Sequence, residues 1–421
     1  MEPSSPMVWT GRSLRCTSRW VRTMSLNRTG TWLAALLIGW VAGAPASAQG
    51  LRDADLFAPA EPSHYGGGVR ANQGFFFTYD ALYWTISPPE RATVGIDTDT
   101  LDVQRNVWWA NDPNQTFTQG STLDTSGFQT MFTPGQRIEV GHIEGHVGWL
   151  FNYMRLHQLS QAQAATGVQM YFHDQEWGVN NLPHLVHDVG GGNIVALPVW
   201  FDFVLMDLST KVWGTEFNLL LRTHPGHRGG IFEWFLGARY LEFEEQFSIR
   251  AYGTPPASAL ADTLFTNVAN NNIFGPQLGL RWFTTNDRWQ FSAEGKFIAG
   301  WNSQNVHLQG IVGSDLTPTN FPRPAGSPGF PQAMPATNAY DRSYMSVFSP
   351  VVELRLEGKY QLTRNVGFRA GWNGMYIGEI ARPSRMVNYE LGQTSVLGIL
   401  RYMNRDLAFL HGLGIGIEIN R

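Results

Sequence analysis

Val352-Glu353-Leu354-Arg355-Leu356-Glu357-Gly358-Lys359-Tyr360 alternates almost without a break. In an extended strand successive side chains point to opposite sides, so Val352, Leu354, Leu356 and Tyr360 share one face and Glu353, Arg355, Glu357 and Lys359 the other. A polar turn, Gln361-Leu362-Thr363-Arg364-Asn365, leads into a second strand where Phe368, Ala370 and Trp372 oppose Gly367, Arg369, Gly371 and Asn373. A soluble sheet can also bury one face and wet the other, so one hairpin decides little. Its recurrence along the chain decides more.

A first strand over 74–86 carries Phe75, Phe77, Tyr79 and Tyr83 on one face. A hairpin follows from Arg137 through the turn Glu144-Gly145-His146, with Trp149, Phe151 and Tyr153 on its apolar face. Trp213, Phe217, Leu219 and Leu221 alternate with Gly214, Glu216 and Asn218, and the returning strand sets Trp234, Leu236, Ala238 and Tyr240 against Gly237 and Arg239. Leu278, Leu280 and Trp282 pair with Phe291, Ala293, Phe297 and Ala299 around the turn formers Thr284-Thr285-Asn286-Asp287. The chain closes with Leu413, Ile415, Ile417 and Ile419 between Gly412, Gly414, Gly416 and Glu418. These segments make ten strands, and the run 194–206 leaves room for two more, giving twelve. Long connections near 87–135, 159–207, 251–271, 313–344 and 381–408 alternate strictly with short turns. Bacterial outer-membrane barrels show that asymmetry. The expected fold is all-β: a transmembrane antiparallel up-and-down β-barrel over 73–421, with short periplasmic turns and long external loops.

The front end predicts export. Arg12, Arg15, Arg19, Arg22 and Arg28 precede an apolar run from Trp32 to Val41, and Ala46-Ser47-Ala48 supplies a small-residue cleavage site. We read residues 1–48 as a cleaved signal peptide, with a start at Met24 giving a leader of ordinary length, and 49–72 as a flexible lead-in. The apolar run is short of the about 20 residues that a helical span needs. Cys16, the only cysteine, falls in the leader, so the mature chain has neither disulfides nor a thiolate metal site. Charged residues make up 15%, against about 25% in an average soluble domain, beside 45 Gly, 26 Phe, 16 Trp and 13 Tyr. A net charge of −4 argues against a nucleic-acid partner.

Val212-Trp213-Gly214-Thr215-Glu216-Phe217-Asn218, Gln277-Leu278-Gly279-Leu280 with Arg288-Trp289, Glu294-Gly295-Lys296 and His411-Gly412-Leu413-Gly414-Ile415-Gly416-Ile417-Glu418 resemble a planctomycete family of predicted outer-membrane β-barrels. The resemblance spans 73–421 and matches poorly in the long loops. It implies barrel architecture and an outer-membrane location; the family is functionally uncharacterised, so no activity is implied. The final strand departs from the wider barrel pattern, ending Ile419-Asn420-Arg421 rather than in the aromatic residue that addresses assembly machinery.

Two faces carry the candidate chemistry. Tyr79, Tyr83, Trp149, Tyr153, Trp213, Trp234, Tyr240, Trp282, Trp301, Tyr360 and Trp372 are expected to form the aromatic girdles that meet outer-membrane lipid. Glu139, Glu216, Arg239, Arg281, Glu294, Lys296, Glu353, Arg355, Glu357, Lys359, Arg369 and Glu418 are expected to face the lumen. There they form either a charged constriction selecting small solutes or a paired network filling a narrow barrel; ten strands lie nearer the filled end. His173, Asp174, Glu176, His184, His187 and Asp188 include metal-ligand types but lack an H-E-x-x-H frame, so no metal or cofactor is expected. His142 and His146 flank a polar turn, and with no G-x-S-x-G elbow or P-loop the reading is no enzyme. The Pro-rich run 318–335 reads as a stiff external loop. The expected partners are outer-membrane lipid and the barrel assembly machinery, with the ligand of the external loops unspecified. The expected role is structural or surface-interactive, with narrow porin-like permeation. The rival is a secreted soluble β-sandwich or lectin-like protein whose Trp and Tyr stack on sugar rings.

Overall fold

Alternation this sustained pairs strands edge to edge. The computed structural model describes residues 74–95, 123–174, 195–225, 230–253, 262–313, 337–363, 365–391, 396–402 and 405–420. The chain divides into Met1–Leu56 and Phe57–Arg421, and all described residues belong to the second unit. The leader, the lead-in and the Pro-rich run lie outside them. The strands are β1 (Gly74–Ile86), β2 (Met131–Glu144), β3 (Val147–Leu156), β4 (Leu159–Asp174), β5 (Val195–Arg222), β6 (Ile231–Tyr252), β7 (Asp262–Asn286), β8 (Trp289–Val312), β9 (Thr337–Gln361), β10 (Val366–Ile380), β11 (Val387–Leu391), β12 (Val396–Ile399) and β13 (Asp406–Asn420). No described helix is long and apolar enough to cross a membrane.

Each neighbour pairs antiparallel around a ring β1-β2-β3-β5-β6-β7-β8-β9-β10-β13, which closes where β13 pairs β1. Ten strands therefore build the wall. The run 194–206 adds no further strands to it, because Val195–Arg222 is one continuous strand. β3 and β4 share β5 as partner: Arg155 opposes Trp213 and Leu159 opposes Thr210, so a one-residue bulge at His157-Gln158 separates them.

Following paired residues from Trp289 through Tyr360, Phe368, Ile417, Tyr79, Ile138, Tyr153, Thr215, Tyr240 and Phe274 returns to β8 at Trp301, twelve residues further along. That stagger on ten strands fixes a strand tilt of about 40° and a backbone radius of about 10 Å. So narrow a ring is filled by the side chains of its own strands.

The five strands β5 to β9 run to 28, 22, 25, 24 and 25 residues. A tilted strand crosses the bilayer in about 9–11 residues, so roughly half of each lies elsewhere. Along these strands the apolar face changes sides. On β6, Phe232, Trp234, Leu236 and Tyr240 face outward and Glu233 and Arg239 inward; beyond Tyr240, Glu242, Glu244 and Gln246 face outward while Leu241, Phe243, Phe247 and Ile249 are buried inside. β8 repeats this at Trp301, with Ser303 and Asn305 outward and Val306 and Leu308 buried. From Trp289 to Trp301 the outward apolar band is about 30 Å tall at this rise and tilt.

Beyond that band the long strands form a head. The expected long loops are thus partly strand: β4 and the first half of β5 occupy most of 159–207, β7 begins at Asp262, and β9 at Thr337. The hairpin β11–β12 comes from the connection 381–408. β11 pairs parallel with β4, Glu390 opposing His173, and the Ile399 amide of β12 donates to Asp341 of β9 at 2.9 Å. Phe172, Phe201, Phe247, Phe265, Val306, Leu308 and Tyr389 form the head's core. Burial raises the Tyr389 phenol pKa well above its ordinary range.

Ring closure depends on Gly412, where an added Cβ would meet the Tyr83 carbonyl oxygen and the Trp84 backbone. We predict that wild-type protein in cold SDS runs as a compact band that slows on boiling, and that Gly412→Val loses this shift.

Candidate functional site

The short-turn half of the lumen is a network of ions. Glu139 accepts from Arg355 at 2.7 Å and Arg369 at 3.2 Å, and the same two arginines hold Asp80 at 3.3 and 3.2 Å and Glu357 at 3.1 and 2.7 Å. Glu294 joins Arg281 at 2.5 Å, Lys296 at 2.9 Å and Arg355 at 3.9 Å. Lys296 also reaches Glu216 at 2.7 Å, Arg239 bridges Glu216 and Glu353, and Arg137 meets Glu353 at 3.0 Å. Glu233 ties in Arg222 and Arg281, and Glu418 joins Lys359 to Arg369. All twelve residues expected in the lumen are in this network. It adds four more: Asp80, Arg137, Arg222 and Glu233.

The balance is even. Eight cations (Arg137, Arg222, Arg239, Arg281, Lys296, Arg355, Lys359, Arg369) meet eight carboxylates (Asp80, Glu139, Glu216, Glu233, Glu294, Glu353, Glu357, Glu418). A lone buried charge costs several kcal/mol, so pairing throughout is what makes so many tolerable. Phe235 lies among them, with the Arg281 guanidinium 4.8 Å and the Lys296 ammonium 5.3 Å from its ring centre. A cavity of about 40 Å³ remains beside Glu233, Arg281 and Lys359, room for a few waters.

Above the ions comes an apolar layer with Trp84, Met154, Phe243, Ile298, Met375 and Ile377. Above that, the chain leaving β10 turns into the barrel. Glu379 takes a positive φ of 54°, and the backbone beyond it is held by side-chain amides. Asn271 exchanges two bonds with Ala381, at 2.8 and 2.9 Å, as a paired strand would. Asn267 donates to the Pro383 carbonyl at 2.9 Å, Gln304 to that of Glu379 at 2.9 Å, and the Ser349 hydroxyl to that of Gly378. Arg382 then spans the lumen: it donates to both Glu245 oxygens at 3.0 and 2.7 Å and to the carbonyls of Ser87 and Leu407 opposite, at 3.0 and 3.1 Å. Nothing in the sequence reading anticipated this inserted segment.

The outer face carries the expected girdle residues at different levels. Trp149, Trp234, Trp282 and Tyr360 stand near the short turns, with Tyr79 and Trp372 midway. Tyr83, Tyr153, Trp213, Tyr240 and Trp301 mark the opposite edge; Tyr83 stacks on Phe132 at 4.7 Å and Trp213 lies 5.2 Å from Tyr240. His142 packs on Phe75 at 4.4 Å, whereas His146 contacts His224 at 4.2 Å, so the two have separate partners. His173 and Asp174 belong to β4 by backbone; Glu176, His184, His187 and Asp188 lie outside the described residues.

An apolar band with aromatics at both edges, closed strands and a polar interior define an outer-membrane β-barrel. The chain belongs to the family described as Putative beta barrel porin-7 (BBP7), whose model matches residues 187–420. The match bears on the barrel family and not on a planctomycete source. No curated protein matches the chain. Among solved structures it is similar to the outer membrane protease OmpT from Escherichia coli, at 11% identity and a TM-score of 0.37 over 83% of this chain and 98% of that one. It is also similar to a Pseudomonas aeruginosa FadL homologue (7%, TM-score 0.22, 85% and 96%) and to the Pseudomonas putida toluene transporter TodX (10%, TM-score 0.24, 83% and 90%).

Removing one cation leaves the buried network with an uncompensated negative charge, shared in the case of Arg355 among Asp80, Glu139, Glu294 and Glu357. Arg355→Ala is expected to destabilise the barrel by about 3–5 kcal/mol, while Lys211→Ala, which breaks a half-exposed pair with Glu244, costs under about 1 kcal/mol. Denaturant midpoints in detergent micelles compare them. Glu245→Ala is expected to release the inserted segment, so that trypsin cuts at Arg385 in the variant and spares it in the parent.

Proposed function

We propose that this protein is a closed outer-membrane barrel that holds a folded head beyond the lipid and acts there by contact, as a structural and surface-interacting component without catalytic activity. In this reading residues 1–48 direct export and are removed, the assembly machinery inserts the barrel, and outer-membrane lipid surrounds the apolar band.

One observation carries the proposal: the lumen is filled at every described level. Ions occupy the short-turn half, an apolar layer follows, and the Arg382–Glu245 contact lies across the top. The network carboxylates are each engaged by Arg or Lys, which leaves no free base to activate a nucleophile. A narrow ion leak is the second reading, favoured by the small cavity among the charges.

Current across a planar bilayer containing the purified protein separates the two. The expected trace is flat, and steps that grow with salt concentration would replace the closed barrel with a pore.

A further inference from the structure

On the head, outward positions are mostly Ser, Asn, Gln and charged residues, because the apolar face has turned inside. The outer face of β9 breaks this rule. Tyr340 and Tyr344 are 69% and 62% exposed, while the inward residues beside them, Ala339 and Ser343, are buried. Packing of the core therefore does not account for either tyrosine. Between them is Arg342, whose guanidinium lies 4.5 Å from the Tyr344 ring centre and donates to Asn305 at 3.4 Å. Among the described residues no carboxylate pairs with it.

We propose that Tyr340, Arg342 and Tyr344 form a binding strip for the anionic sugar headgroup of an outer-leaflet glycolipid. The proposal rests on reading the protein as an outer-membrane barrel that acts through its head.

Alternate residues on a strand are about 7 Å apart, so the two tyrosine positions are about 13 Å apart along β9, with the guanidinium between them leaning on Tyr344. A sugar ring offers a C–H face to an aromatic ring and hydroxyls to amides, and a phosphate or carboxylate on it suits a guanidinium. The amides and imidazole are in place. Gln309, His307 and Asn305 on β8 pair directly opposite Tyr340, Arg342 and Tyr344. Burial, and then the adjacent Arg342, lower the His307 pKa, leaving a neutral ring that donates and accepts at pH 7.

Position selects the source. Phe348, 56% exposed, stands at the outer edge of the apolar band, and Tyr344 follows four residues further out. At this tilt the strip begins about 10 Å beyond the apolar band and runs away from it, the depth of lipid headgroups. A protein partner would want a central apolar anchor in a concave, well-packed patch; this strip is flat and carries no Leu, Ile or Phe between its tyrosines.

The test uses the full chain in nanodiscs, with purified lipopolysaccharide and its deacylated, soluble saccharide as probes. Wild type is expected to bind the intact glycolipid. Arg342→Ala and the double variant Tyr340→Ala/Tyr344→Ala should each weaken binding about tenfold, and Tyr340→Phe/Tyr344→Phe should retain stacking and most affinity. Unchanged affinity in both alanine variants would overturn the strip. Equal affinity for the deacylated saccharide would overturn the lipid source. Cold gel mobility, read on every variant, separates these outcomes from a failure of the barrel itself, in which wild type too would lack the compact band.

Discussion

In hydrocarbon no water satisfies a backbone amide or carbonyl, so a β-structure that crosses must close on itself. Everything else follows from how this chain closes. Ten strands with a twelve-residue stagger leave a narrow ring whose interior, at the level of the lipid, is filled by side chains. Outward positions must be apolar to face lipid, which puts the polar half of each alternation inside. Charge within such a ring survives only in balance. Arg355 shows how tightly the balance is shared, since it serves Asp80, Glu139, Glu294 and Glu357 at once. No single pair can be lifted out without exposing others, so the network behaves as one unit rather than a sum of bridges.

The same strands then leave the lipid without interruption, and the physics of the two faces is exchanged. Outward residues now meet water, and the enclosed ones must supply a core. Tyr240 to Glu242 on the outside and Arg239 to Leu241 on the inside record the crossing within a few residues. The head needs no linker, because the hydrogen-bonded ladder continues through the boundary. What it lacks is wall, since β1, β2, β10 and β13 stop near the edge of the band. The connection after β10 supplies it, first as the segment clasped by Asn267, Asn271 and Gln304, then as β11 and β12.

This exchange also explains what could be read in advance. The hairpins were legible because lipid demands aromatic and aliphatic outward faces, so Trp213 to Leu221 or Leu413 to Ile419 announce themselves. The twelve lumen charges followed from the same parity. Asp80 beside Tyr79, Arg137 beside Ile138 and Glu233 beside Trp234 obeyed it as well and could have been taken from it. The head was not legible: Thr266 to Asn272 reads by composition as loop, yet is strand, because its outward side is wet and its inward Asn267 and Asn271 have a buried task. Arg382 follows no periodicity, as it reaches the lumen by a turn of the chain. Nor does alternation give partners, and Arg137 finds Glu353 216 positions away.

Strand length argues for where the protein works. A barrel that served only to cross the membrane would need about ten residues per strand, and β5 has 28. The added length orders a second apolar core in water, an arrangement that conduction does not require, and the inserted segment would obstruct conduction. Such a head stabilises a fixed outer surface at a set distance from the lipid. In the role we propose, specific contact falls to that surface, where a strand presents Tyr340, Arg342 and Tyr344 with little freedom left to lose on binding. Pre-organisation of that kind favours recognition of a flat, polar, repeating partner over a deep ligand pocket.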